Sequence, residues 1–252
     1  MLLAGVVPVS AEVGAILSEE KIGVVVTIIP LADFVGQVGK DKVEVTVMVP
    51  SGANPHTYEP TPVQLKRISQ AQLYVKVGSG VDFELAWMDK IRVINKQMLV
   101  CDSSQGIKLI DQDPHIWLSP RNAKIMVQNI YQALAEIDPF SREYFERNAI
   151  EFIKSLDRLD EEIRIQFIRM ENKTFLSYHP SWNYFAKDYS LIQLAIEDEG
   201  KEPSAAYLAH IIDQARTYHI SIILVSPQFN IKSAEVVAKE IGIKVIVIDP
   251  LS

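Results

Sequence analysis

PFSREYFERNAIEFIKSLDRLDEEIRIQFIRM, from Pro139 to Met170, is the stretch on which the reading of the fold turns. After Pro139 it holds neither glycine nor proline, and Phe145, Ala149, Phe152, Ile153, Leu156, Leu159, Ile163 and Phe167 recur with the period of one helical face. At 1.5 Å per residue, about 30 residues make a rod of roughly 45 Å. Such a rod is longer than one domain needs and long enough to span two. The expected division is a signal-segment remnant over 1–20, an N-terminal lobe over 21–137, a linking backbone helix over 138–170 and a C-terminal lobe over 171–252.

Working outward from the rod, both flanks alternate between short β-branched runs and helical patterns. Upstream, strands are expected over 22–29, 43–49, 73–77 and 98–102, with helices over 31–38, 62–70, 82–94 and 120–137. Thr61-Pro62 and Ser119-Pro120 each pair an N-cap residue with proline at the first helical position. Downstream, strands over 174–178, 191–196, 221–226 and 244–248 alternate with helices over 181–189, 203–219 and 231–241. Repeated βα alternation implies a parallel sheet in each half. The fold class is therefore α/β, with two lobes, each a parallel sheet flanked by helices, joined by one long backbone α-helix.

Composition narrows the function. Among 252 residues, 25 Lys and Arg stand against 32 Asp and Glu, a net charge of -7. That balance argues against a surface that tracks nucleic-acid phosphates and suits a small cationic ligand. Cys101 is the only cysteine, which rules out an internal disulfide and a thiol-rich zinc site. The apolar stretch Met1 to Val9 is far below the roughly 20 residues of a membrane span. Followed by Val9-Ser10-Ala11, it resembles the end of a secretory signal with a small-residue cleavage site but lacks the basic leader, so either the start is truncated or the resemblance is accidental. An extracytoplasmic location with an incomplete export signal is expected, and no nearby cysteine offers a lipid attachment atom.

Three histidines stand in separate turns just beyond apolar strand runs: His56 after Val49-Pro50-Ser51-Gly52-Ala53-Asn54-Pro55, His115 after Asp113-Pro114, and His179 after Ser177-Tyr178. A fourth strand ends in Asp249-Pro250. Parallel strands place such ends along one edge of each sheet, where open α/β folds bind ligands. Three imidazoles and a carboxylate then make the closed four-ligand shell that zinc favours. Their wide separation matches no zinc finger, so position rather than spacing carries the expectation. The ligands fall two in each half, which places the metal between the lobes.

Other polar residues have plainer readings. His210 and His219 lie on the expected helix over 203–219 and serve packing or capping. Asp249 has an ordinary alternative as the start of an Asp-Pro turn. Asp113 and Glu59 sit close to candidate ligands and are placed to accept from the second nitrogen of an imidazole. Glu197 to Glu202 reads as a solvated acidic loop.

The flanking segments resemble one family. Val49 to Pro62, reading VPSGANPHTYEPTP, is similar to the first ligand segment of the zinc/manganese solute-binding proteins of ABC importers. Asp113 to Pro120 resembles the second, Tyr178-His179 with Trp182, Tyr184 and Phe185 the third, and Val247 to Leu251 the fourth. The resemblance runs through almost the whole chain. It implies two α/β lobes on one helix, metal held between them and delivery to a membrane permease. A histidine at the third ligand position is associated in that family with zinc, and three imidazoles also suit zinc better than manganese. Two departures stand out: residues 103–112 carry none of the histidines of a His-rich loop, and the final helix that usually follows the Asp-Pro segment is not in the sequence.

The expected function is thus a non-enzymatic, monomeric receptor for Zn2+, with Mn2+ second, using His56, His115, His179 and Asp249. Its partners are the metal ion and an ABC permease, with no catalytic residue. The alternative is a zinc hydrolase with three histidine ligands and a carboxylate base, although no His-Glu-x-x-His helix is present. A scaffold turned to adhesion is a third reading.

Overall fold

The computed structural model describes residues 20–111, 113–197, 203–229 and 232–251. The signal remnant expected over 1–20 therefore lies almost wholly outside the described residues. No helix among those described is long and apolar enough to cross a membrane.

The first half builds strands β1 (Ile22–Ile28), β2 (Val43–Val49), β3 (Leu73–Lys76) and β4 (Leu99–Asp102) with helices α1 (Ile29–Gly39), α2 (Pro62–Gln70), α3 (Asp82–Ile94) and α4 (Pro120–Ile137). All pairings are parallel, in the order β2-β1-β3-β4. Parallel sheets are covered on both faces, so their strands need apolar residues at consecutive positions. Val24, Val25 and Val26 meet that need and are all buried. Pro30 does not end a strand followed by a later helix; it sits in the first turn of α1, where its missing N–H leaves no helical bond unmade. The Thr61 cap completes a capping box with Gln64, and Ser119 accepts from Asn122 N–H, so both cap-plus-proline signals mark true helix starts.

The second half repeats the order with β5 (Thr174–Ser177), α6 (Asn183–Asp188), β6 (Ile192–Ala195), α7 (Ala205–Thr217), β7 (Ile222–Val225), α8 (Lys232–Ile241) and β8 (Lys244–Val247). Its sheet runs β6-β5-β7-β8, again all parallel. The two sheets thus share one strand order, each with a switch point beside its first strand.

The rod is α5, Arg142–Ile168, whose 27 residues span about 40 Å. Pro139–Ser141 form a 3-10 turn before it, because the Asp138 side chain accepts from the N–H groups of Phe140 and Ser141 and tightens the entry. Phe145, Ala149 and Leu156 bury into the first core. At the other end Phe167 stacks with Tyr189, the C-cap of α6, and meets Phe185 of α6 edge-on. Midway, Asp160 accepts from Tyr189 Oη (3.0 Å) and pairs with Arg164 and Arg121. One continuous helix is therefore fastened to both halves.

Candidate metal site

The ends of seven strands converge on one region. His56 follows β2, Asp82 follows β3, His115 follows β4, His179 follows β5, Glu197 follows β6, Gln228 follows β7 and Asp249 follows β8. The shared strand order delivers side chains from both sheets to this edge, where α/β folds place their ligands.

Each loop is shaped locally. Asn54 turns the His56 segment by accepting His56 N–H on its side-chain oxygen (2.9 Å) and Tyr58 N–H on its carbonyl (3.0 Å). Asp113 accepts His115 N–H at 2.9 Å, holding that residue at the start of the 3-10 turn Ile116–Leu118. Tyr178 N–H donates to the Leu224 carbonyl and Glu197 N–H to the Tyr178 carbonyl, so the sheet bonding continues beyond the strands and brings Glu197 beside His179.

The three candidate imidazoles are neighbours. The His179 ring centroid lies 5.4 Å from that of His56 and 5.1 Å from that of His115, both edge to face. Each Nδ1 faces a carboxylate: Asp82 at 2.5 Å from His56, Asp113 at 2.7 Å from His115, and Glu197 in close contact with His179. A carboxylate can only accept, so Nδ1 carries the hydrogen and Nε2 is left as the lone-pair nitrogen for a metal. His179 Nε2 is buried with no hydrogen-bond partner among the described residues. Phe229 stacks on the same ring at 4.7 Å and fixes its plane.

Asp249 is placed differently. It does not line the pocket formed by the three rings; its neighbours Pro250 and Leu251 do, together with Gln228. Gln228 Nε2 donates to Asp249 Oδ1 at 2.7 Å, and Leu251 N–H donates to the same oxygen at 2.9 Å. Trp117 Nε1 donates to the Pro250 carbonyl at 2.8 Å and ties this segment to the loop of His115. Among the described residues no group of three or more His, Cys, Asp or Glu is drawn in tightly enough to hold a metal as it stands. The three rings adjoin around this pocket.

The sequence reading of the orienting carboxylates needs two corrections. Glu59 is exposed, and the partner of His56 is Asp82, which the β3–α3 turn brings across from a distant part of the chain. That turn is anchored by Glu84, which accepts from Val77 N–H, Gly78 N–H and Thr27 Oγ1, while Ser79 Oγ donates to the Pro114 carbonyl beside His115. Burial pushes the Glu84 carboxyl above its ordinary value, with these donors opposing the shift. Glu197, expected to be solvated, has a side chain only 9% exposed because His179 covers it; residues 198–202 of that expected loop lie outside the described residues. His210 is exposed on α7, and His219 lies beyond the end of α7 at Thr217 with φ 51°, so neither joins the cluster.

Burial holds the His115 imidazole below its ordinary value, against the opposite pull of Asp113. In an unfolded chain an imidazole takes its proton near pH 6.5. Below that pH the unfolded state binds more protons than the native state, so the His115 contribution, full above pH 6.5, is lost as the solution is acidified through the native value. Urea midpoints measured from pH 7.5 to 5 should therefore fall more steeply for the native chain than for His115→Asn, and parallel profiles would refute this.

A larger open cavity of about 680 Å3 lies on the solvent side, bordered by the same three histidines with Asp82, Asp111 and Asp113. Its carboxylates favour a cation and disfavour an anion.

Residues 24–252 match the protein family described as zinc-uptake complex component A, periplasmic. The high-affinity zinc uptake system protein ZnuA of Bacillus subtilis is 32% identical over 253 residues, covering 92% of this chain and 79% of the relative. The zinc-binding lipoprotein AdcA of Streptococcus pneumoniae is 28% identical over 93% of this chain, which spans about half (51%) of its length. Among solved structures, one titled as ZnuA is 41% identical with a TM-score of 0.90, covering 92% of each chain.

Proposed function

The chain belongs to the family of periplasmic zinc-uptake complex component A proteins, and from that premise we propose how it captures and hands on its cargo. It is the solute-binding receptor of an ABC zinc importer, it works outside the cytoplasm, and its ligand is Zn2+. His56, His115 and His179 bind the ion through Nε2, and Asp249 is the fourth ligand through its carboxylate. The observation that supports this assignment is the adjoining trio of imidazoles, each held at Nδ1 by its own carboxylate. Nitrogen-rich ligation ranks Zn2+ above Mn2+, which prefers oxygen.

The lobes are read as 21–137 and 171–252, joined over 138–170, and the receptor as a monomer that binds no nucleic acid. The family is a transport component, so the zinc hydrolase considered from sequence finds no support in it. Four protein ligands also leave no position for an activated water, and the receptor catalyses nothing.

Native mass spectrometry under limiting zinc is expected to show one zinc per chain, lost when His56→Ala and His115→Ala are combined. Unchanged tight binding by the double variant would discard the assignment. Turnover of an activated ester by the zinc-loaded protein would restore the hydrolase.

A further inference from the structure

Gln228 stands just beyond β7 among the candidate ligands, and the histidine pattern does not single it out. It lines a small pocket with His56, His115, His179 and Pro250, whose volume of about 20 Å3 is of the order of one water molecule or one ion. One end of its amide is met and the other is not. Nε2 donates to Asp249 Oδ1 at 2.7 Å, while Oε1 is buried with no partner among the described residues. Leaving a buried acceptor unmet is costly, and a side chain present only for packing has no reason to bear that cost. A second buried lone pair without a partner, His179 Nε2, borders the same pocket. Two unmet acceptors around a space of that size fit a cation.

We propose that Gln228 is the positioning residue of the fourth ligand: its amide N–H holds the Asp249 carboxylate in orientation, and its carbonyl oxygen faces the captured cation. Gln228 then does for Asp249 what Asp82, Asp113 and Glu197 do for the histidines. The partner has to be a neutral donor. A carboxylate in its place would meet Asp249 as a like charge, whereas an amide donates to the ligand and presents its negative dipole end to the metal. This inference rests on the zinc-receptor reading above and adds a residue to that site.

The test combines Gln228→Met, which keeps the bulk and removes both polar ends, with Asp249→Ala in a double-mutant cycle. Zinc affinity is measured by competition with a chromophoric chelator, and ligand geometry from the visible bands of the Co2+ complex. Loss of a residue that orients a metal ligand typically weakens binding 10- to 100-fold. Gln228→Met is expected to show a loss of that size and a changed Co2+ spectrum, and to add little once Asp249 is alanine, because the two then act as one unit. Should Gln228→Met fail to fold by thermal unfolding, Gln228→Glu serves instead and is expected to weaken zinc binding through repulsion of Asp249. Native affinity and spectrum in the variant, or its full effect in the Asp249→Ala background, would overturn the proposal while leaving the receptor reading intact. Failure of the unaltered protein to bind Zn2+ or Co2+ at all would instead overturn the receptor reading.

Discussion

His179→Ala is expected to weaken zinc binding by about 10^2 to 10^3-fold. Protein zinc sites of four ligands hold the ion with roughly 10–16 kcal/mol, so an equal share per ligand is about 2.5–4 kcal/mol, and each 1.4 kcal/mol is tenfold in affinity. Of the four proposed ligands, His179 is the one whose removal should be felt most, because its ring adjoins both other imidazoles. The substitution also removes the imidazole that pairs with Glu197, and losing that charge-assisted hydrogen bond should lower the stability of the metal-free protein by about 1.5–3 kcal/mol. Chelator competition reads the first effect, and urea unfolding without metal reads the second. His210→Ala, at an exposed position on α7, is the matched control and should change neither. Unaltered affinity in His179→Ala would remove that imidazole from the site.

Phe145→Ala is expected to destabilise the chain by about 3–5 kcal/mol, the usual range for deleting a fully buried phenylalanine. Phe145 is 0% exposed, on the first turns of α5 against the core of the first sheet. Little can move in to fill the space, since α4, α1 and α5 all pack there. For a protein of this size each kcal/mol shifts Tm by about 2–4 °C, so a fall of about 6–20 °C should be visible by scanning calorimetry. Phe140→Ala, five residues earlier and fully exposed, should leave Tm unchanged. A shift below about 2 °C for Phe145→Ala would show that α5 is not seated in the first core.

The elements of both halves were legible because the physics that forms them is local. Cap residues followed by proline, β-branched runs and the glycine-free rod each act over a few turns, and Thr61, Ser119 and α5 stand where those signals put them. Periodicity predicts α-helix from the entry at Asp138 onward, because the side-chain bonds that tighten that entry into a 3-10 turn leave no trace in it. The three histidines come together for a related reason: each stands in the segment that follows a strand, β2, β4 or β5, and parallel strands share an edge. Their carboxylate partners were harder to see. Glu59 is three residues from His56 and points to solvent, whereas Asp82 is far away in sequence and adjacent in space. Glu197 looked solvated because acidic neighbours follow it, but its backbone bond to Tyr178 turns it inward. Asp82 and Glu197 both stand just beyond a strand, so the rule that located the histidines could have located them too.

Drawing the site from strand ends in both halves has a consequence for how long each molecule lasts. His56 and Asp249 are roughly 200 residues apart, and closing a loop of that length in an unfolded chain costs on the order of 5 kcal/mol by chain entropy alone. The unfolded chain therefore competes poorly for zinc, and the ion favours only the assembled fold. Free zinc at a thousand times Kd adds about 4 kcal/mol to the cost of unfolding. Loaded molecules open rarely and empty ones open more often, so a protease acting on opened chains removes the empty receptors first.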